Sequence, residues 1–271
     1  MPILSSRYRA SRLARQARGF SLVEIGMVLI IISIFLAMVA VPITTQIDLR
    51  RVEETQKFLE STKDALYGFA AANGRLPCPA TGTSAGRESF CTNASGACGV
   101  QTTVQSHGRC VNPIGFLPAV TLGVSPVDAG GYAQDAWQDG SNGRRIGYAV
   151  SDLQNPVGTG IYVLTAPDGI KAATMATTAA AFHLYVCSTG LAAAPPVLSC
   201  GATVTTLTDK APAVLFSFGK NNNANSFDET NNQNGDKVFS SGIHNPTFDD
   251  LVTWMSLNTL FDRMVKAGKL P

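Results

Sequence analysis

Residues Ile25 to Ile47 carry no ionisable side chain, and Ile25 to Val41 is almost wholly apolar. A helix rising ~1.5 Å per residue needs about 20 residues to cross ~30 Å of hydrocarbon, and Phe20 to Ile43 meets that length. The pattern then changes. Val52, Thr55, Leu59, Thr62, Leu66 and Phe69 recur at steps of three and four, which predicts an amphipathic helix with one buried stripe. Glu53–Lys57 and Glu60–Lys63 are helix-spaced opposite charges for its solvated faces. Pro42 is a point where this helix can kink. Asn73-Gly74, followed by Pro77, predicts its end, so a single helix is expected from Phe20 to Ala72.

Beyond it the apolar runs shorten. Residues 75–130 are rich in Gly, Ser, Thr, Pro and Cys, and read as loops and turns. Strands are expected at Gly160–Ala166, Phe182–Cys187 and Val214–Gly219, each bounded by turn residues, and late strands at Val238–Ser240 and Leu251–Trp254. Asn221 to Asp236 reads as a long, solvated, Asn-rich loop. A last helix should start with Ser256 as N-cap, bury Leu257, Leu260, Phe261, Met264 and Val265, and end at Gly268. The expected class is α+β, an antiparallel sheet packed on a long N-terminal helix.

Charge orients this plan. Arg7, Arg9, Arg12, Arg15 and Arg18 precede the apolar run with no acid among them, which predicts a cytoplasmic N-terminus and an exported remainder. A cleaved secretory signal fits poorly. The run is too long, and it ends Ala37-Met38-Val39-Ala40, with Met38 where a small residue is needed. A plain membrane anchor does not explain Glu24, because a carboxylate at the centre of a membrane costs roughly 2.5–3.5 kcal/mol.

Gly19-Phe20-Ser21-Leu22-Val23-Glu24 resembles the processing signal of type IV prepilins and of type II secretion pseudopilins. The resemblance implies a cut between Gly19 and Phe20 by a prepilin peptidase, methylation of the new Phe20 amine, and an assembly role for Glu24. It also implies a pilin-like fold. On this reading residues 1–19 are a basic leader, 20–43 the membrane-spanning half of the helix, 44–74 its amphipathic half, and 75–271 a periplasmic domain. The implied location is the bacterial inner membrane as a single-pass protein, then a periplasmic or surface filament. The implied partners are the peptidase, other pilins or pseudopilins, the assembly platform protein with its ATPase, and the lipid bilayer. The size of the exported part favours a minor subunit. An adhesin or substrate-recognition module at a filament tip is the alternative.

Composition narrows the remaining chemistry. The net charge of +2 is misleading: cleavage would remove five of the 21 basic residues, leaving 16 against 19 acids, a charge of −3. No nucleic-acid partner is predicted from that balance. Six cysteines, Cys78, Cys91, Cys98, Cys110, Cys187 and Cys200, lie past the apolar run and read as disulfides in an oxidising compartment. Cys187–Cys200 closes a short loop around Pro195-Pro196, and Cys91–Cys98 inside Cys78–Cys110 is a nested possibility. Their spacings are not those of a zinc ribbon.

No nucleophile motif accompanies His107, His183 or His244, and no phosphate loop or EF-hand pattern occurs, so no enzyme is predicted. His183, in an apolar strand, reads as a core histidine, and Trp137 as a packing residue. Asp228, Glu229 and Asp236 lie among asparagines. Calcium takes oxygens of these types, and the resemblance to pseudopilins, whose major subunits bind calcium, supports it, which makes Asp228 and Asp236 calcium candidates. Otherwise no cofactor is expected. Asp249-Asp250 reads as a solvated strand edge or turn cap.

Overall fold

The computed structural model describes residues 19, 21–104, 107–138, 144–154, 162–173, 175–181, 183–192 and 198–270, without the side chains of 37–45 and 179. The chain divides into two units, Met1–Asp48 and Leu49–Pro271. The first holds the apolar start of helix α1 (Leu22–Asn73).

Within the second unit, the expected stripe forms. Thr55, Leu59, Thr62 and Leu66 are buried, with Val52 and Phe69 at its half-buried margins. The expected ion pairs close at 2.7 Å for Glu53–Lys57 and 2.6 Å for Glu60–Lys63. The helix ends where the sequence placed its stop, at Asn73, with Gly74 at φ 71°. That left-handed backbone strongly favours glycine.

The rest of the unit contains nine strands and five further helices among the described residues. The strands are β1 (Phe90–Cys91), β2 (Gln101–Thr102), β3 (Ile114–Phe116), β4 (Gly147–Val150), β5 (Leu184–Ser188), β6 (Thr206–Ala211), β7 (Ala213–Ser217), β8 (Val238–Ser241) and β9 (Leu251–Trp254). The helices are α2 (Ala119–Leu122), α3 (Gly169–Ala172), α4 (Met175–Ala180), α5 (Phe227–Gln233) and α6 (Leu257–Lys266). They make three sheets: β1-β2, the antiparallel β3-β4-β7-β9, and β6-β5-β8, in which β5 and β8 run parallel.

The four-stranded sheet is buried on both faces, and side-chain alternation divides its residues between two cores. Tyr148 and Val150 of β4 and Ala213 and Leu215 of β7 join Leu59, Leu66 and Tyr67 of α1 and Leu257, Leu260, Phe261 and Met264 of α6. Ala149, Val214 and Phe216 face the other way, against Leu184 and Val186 of β5, Ala211 and Phe239. Such strands read as continuous apolar runs, which is how Ala213-Val214-Leu215-Phe216 stands in the sequence. Gly147 is opposite Phe216 in register, and a Cβ there would lie 2.1 Å from the phenyl ring. Only glycine fits beside that ring.

Two expectations are corrected. Among the described residues no helix is long and apolar enough to cross a membrane. The membrane-spanning half assigned to 20–43 therefore does not stand, and with it goes the single-pass inner-membrane location. The pilin-like long-helix fold is likewise replaced. The class is α+β with antiparallel sheets, and the one expected sheet is three, including a parallel pair.

Local differences have simple causes. The strand expected at Gly160–Ala166 is, where described, a single bridge at Tyr162 followed by turn and α3. Edge strand β6 has no counterpart among the expected strands, because Thr206-Leu207-Thr208-Asp209-Lys210 is mostly polar and only half-buried or exposed. Ser256 stands at the N-cap of α6 but makes no capping bond with its side chain; its N–H donates to the Tyr67 hydroxyl at 2.9 Å.

Candidate functional site

The processing segment lies at the start of α1. Gly19 is exposed, and nothing lies within 4 Å of the position a Cβ would take. Phe20 and the five arginines lie outside the described residues. Glu24 is exposed in the first turn of α1, where a negative charge meets the positive end of the helix dipole. Around it the apolar side chains face outward on every side of the helix: Leu22 is 89% exposed, and Val23, Ile25, Met27, Val28 and Leu29 are also open.

All three disulfides read from the spacings form: Cys78–Cys110, Cys91–Cys98 and Cys187–Cys200. No cysteine is left free.

A second cluster gathers residues of the Asn-rich stretch and of Asp249-Asp250. The stretch 221–236 is not one solvated loop, because its middle, Phe227–Gln233, folds into α5. Ser226 caps it, its hydroxyl accepting from the Glu229 N–H at 3.2 Å. Glu229 Oε2 reaches back to accept from the Asn225 N–H at 2.7 Å, and Oε1 accepts from the Asp249 N–H at 3.2 Å. This is nearly the reciprocal arrangement of a capping box, and Ser226-x-x-Glu229 is its sequence signature. Asp249 Oδ2 accepts from the Asn221 N–H at 2.8 Å, and Asp250 Oδ2 from the Asn232 amide at 2.8 Å.

One carboxylate oxygen from each of Glu229, Asp249 and Asp250 lies within 4.8 Å of the others, and all three residues are buried. At an effective dielectric constant of about 20, two unit charges at this separation repel by roughly 3–4 kcal/mol. Burial, with the charges of Glu229 and Asp249 added to it, pushes Asp250 up to about 8 despite the Asn232 bond. Burial likewise raises Asp249. Among the described residues Asp249 Oδ1 and Asp250 Oδ1 are buried with no hydrogen-bond donor, while the Glu229 carboxyl lies close enough to Asp249 to raise it further. Leaving such an atom unmatched costs about 1–3 kcal/mol or more.

The two calcium candidates named from sequence are held elsewhere. Asp228 accepts from the Gly190 and Leu191 N–H groups at 2.9 and 3.2 Å. Asp236 pairs with the Asn234 amide and the Val238 N–H. Neither belongs to the three-carboxylate cluster.

The histidines are not gathered at one place. His183 is buried as expected, its Nδ1 2.9 Å from Ser151 Oγ and its Nε2 3.0 Å from the Thr178 carbonyl. A carbonyl only accepts, so the proton is on Nε2 and Ser151 donates to Nδ1. Ser151 is itself only 3% exposed. Trp137 is buried, as a packing residue would be. A groove of about 670 Å³ runs along Gln56, Glu60, Lys63, His244, Thr253 and Trp254, and none of the three clustered acids lines it.

No family model, curated protein or solved structure matches this chain. The exposed apolar start of α1 was legible in the sequence. The acidic cluster was not, because Glu229 is 20 residues from Asp249 and only folding brings them together; the capping-box signature was the one available clue.

Proposed function

We propose that this chain is a structural subunit of a type IV pilus or type II secretion pseudopilus, cut after Gly19 and polymerised through the residues that open α1. The observation that carries the reading is the all-round exposure of the apolar side chains of Leu22–Leu36, interrupted by one ionisable group, Glu24. A helix that is apolar on every face needs burial on every face. Packing against the same segment of neighbouring copies provides it. The resemblance of Gly19–Glu24 to the prepilin signal supplies the second half of the argument. After the cut, the Phe20 amine is a cation four residues from Glu24, and in a bundle the amine of one copy can neutralise the acid of the next. Removing one partner of such a buried pair costs about 3–5 kcal/mol, enough to stop assembly. The role is mechanical, and no catalytic group is assigned.

The test combines processing and assembly. Co-expressed with a prepilin peptidase, the chain should lose its first 19 residues and gain a methyl on Phe20, read by mass spectrometry. Glu24→Ala should be cut normally yet fail to enter sheared filaments. An intact N-terminus, or filaments of Glu24→Ala as abundant as those of the native chain, would sink the reading.

A further inference from the structure

We propose that the free edge of β9 binds an extended peptide segment of a partner protein, taken up as an added strand. Two observations carry this. The first is the edge itself. β9 ends the order β3-β4-β7-β9, so β7 pairs with one side of it only. The Met255 N–H donates to the Ala213 carbonyl at 2.9 Å, and Trp254 stands opposite Val214. Antiparallel pairs alternate between those that exchange hydrogen bonds and those that do not. Leu251 and Thr253 therefore turn their backbone groups toward β7, and Val252 and Trp254 turn theirs outward. No described residue pairs with those outward N–H and C=O groups. Natural edges are guarded by charge, proline or a bulge. Leu251-Val252-Thr253-Trp254 has none of these, and its register with β7 is unbroken.

The second observation is the groove of about 670 Å³ along this edge, which all of β9 lines together with α1 and the turn Gly242-Ile243-His244 after β8. Leu251 and Thr253 lean on α1: Leu251 packs on the core that holds Leu59, and the Thr253 hydroxyl donates to Glu60 Oε1 at 2.8 Å. Val252 and Trp254 lean the other way, on the core that holds Phe239 of β8. The strand is thus walled on both faces and open at its edge. Such a slot admits a single strand at the sheet spacing of about 4.7–4.9 Å. It does not admit β9 of a second copy, which carries the same two walls.

The walls select the occupant. In strand addition, main-chain hydrogen bonds give affinity and alternate side chains give specificity. Side chains pointing to the α1 wall meet Glu60 and Lys63. The Lys63 amine is held by Glu60 at 2.6 Å and donates to Thr253 Oγ1 at 3.2 Å, and its side chain is 22% exposed against 50% for Glu60. Each Glu60 oxygen accepts one hydrogen bond and has room for another. The charge left open on that wall is therefore negative, and a basic residue is its complement. Side chains pointing the other way meet Trp254 and Ile243, the latter 87% exposed, and are apolar. The partner segment alternates apolar with polar residues and carries a basic one among the polar set. This surface lies within Leu49–Pro271 and does not depend on any cut at Gly19.

The experiment is fluorescence polarisation of a labelled, end-blocked hexapeptide, valine alternating with threonine, lysine and threonine, titrated with the intact, disulfide-bonded chain. The signal should saturate. Two further peptides carry N-methyl groups on one or the other alternate set of residues, which removes the donors from one edge. At least one of them should bind about tenfold more weakly or worse. Exchanging the lysine for glutamate should weaken binding, and Glu60→Gln should erase that difference. Val252→Pro removes an outward N–H without touching the β7 ladder, so it should keep the fold by circular dichroism and lose the peptide. The methylated peptides decide the matter if that variant does not fold. Absence of a saturable signal, or binding of both methylated peptides as tight as that of the parent, overturns the proposal. A chain that ignores the peptide but forms a dimer abolished by Val252→Pro, read by sedimentation, also overturns it, by assigning the edge to a second copy.

Discussion

His183 shows how one buried side chain makes stability depend on pH. Its ring is enclosed and hydrogen-bonded in the neutral form, and burial lowers its pKa below the ordinary value near 6.5. The unfolded chain therefore binds the proton more readily than the folded one. The contribution of His183 is present above pH ~6.5 and is lost as the pH falls below it toward the folded value. Urea denaturation at pH 7.5 and 5.5 should show lower stability at the acid end, with part of that drop absent in His183→Gln. An equal drop in the variant would assign it to other groups. This histidine could be placed from its apolar neighbours in sequence. Its partners Ser151 and Thr178 could not, since only the fold brings Ser151 to it.

At the scale of elements, the loop-rich stretch 75–130 depends on cross-links more than on an apolar core of its own. Cys78–Cys110 closes a separation of 32 residues and Cys91–Cys98 one of 7. Loop-closure entropy makes the longer bridge worth about 3.7 kcal/mol and the shorter about 2.4 kcal/mol. Replacing Cys78 and Cys110 by serine should therefore lower the unfolding free energy by roughly 1 kcal/mol more than replacing Cys91 and Cys98. Denaturant titration of the two double variants measures it, and a reversed order would count against the entropic account. Helix α1 past residue 49 and helix α6 were legible because their apolar positions repeat at the helical period, although Val265, expected on the buried face of α6, is 49% exposed. Helix α5 could not, because the residues it buries, Asp228, Glu229, Asn231 and Asn232, are polar. They are buried because backbone N–H groups and neighbouring side chains bind them, a condition that hydropathy does not record.

For the whole molecule, the two units make separable demands. The unit Leu49–Pro271 holds both large cores and all three disulfides, and its first buried helical residue is Thr55. A chain begun at Leu49 should then unfold cooperatively with a midpoint within roughly 4 °C of the full protein, a difference of about 1 kcal/mol at this size. Loss of a cooperative transition would show that the first unit is needed for the fold. The exposed apolar segment Leu22–Leu36 should instead govern association, so the shortened chain should stay monomeric in sedimentation.

What the sequence determined by itself was whatever repeats locally or is limited by chain connectivity. The stripe of α1, its end at Gly74, strands β7 and β9 and helix α6 belong to this set, because period and turn chemistry act between near neighbours. The tertiary structure alone decided which cysteines pair, how strands divide among three sheets, and that β5 runs parallel to β8. It also decided that Glu229 of α5 meets Asp249 and Asp250. Those outcomes depend on contacts between distant segments and on polar groups buried against one another. A pattern of apolar and polar letters treats each such carboxylate as a solvated surface group.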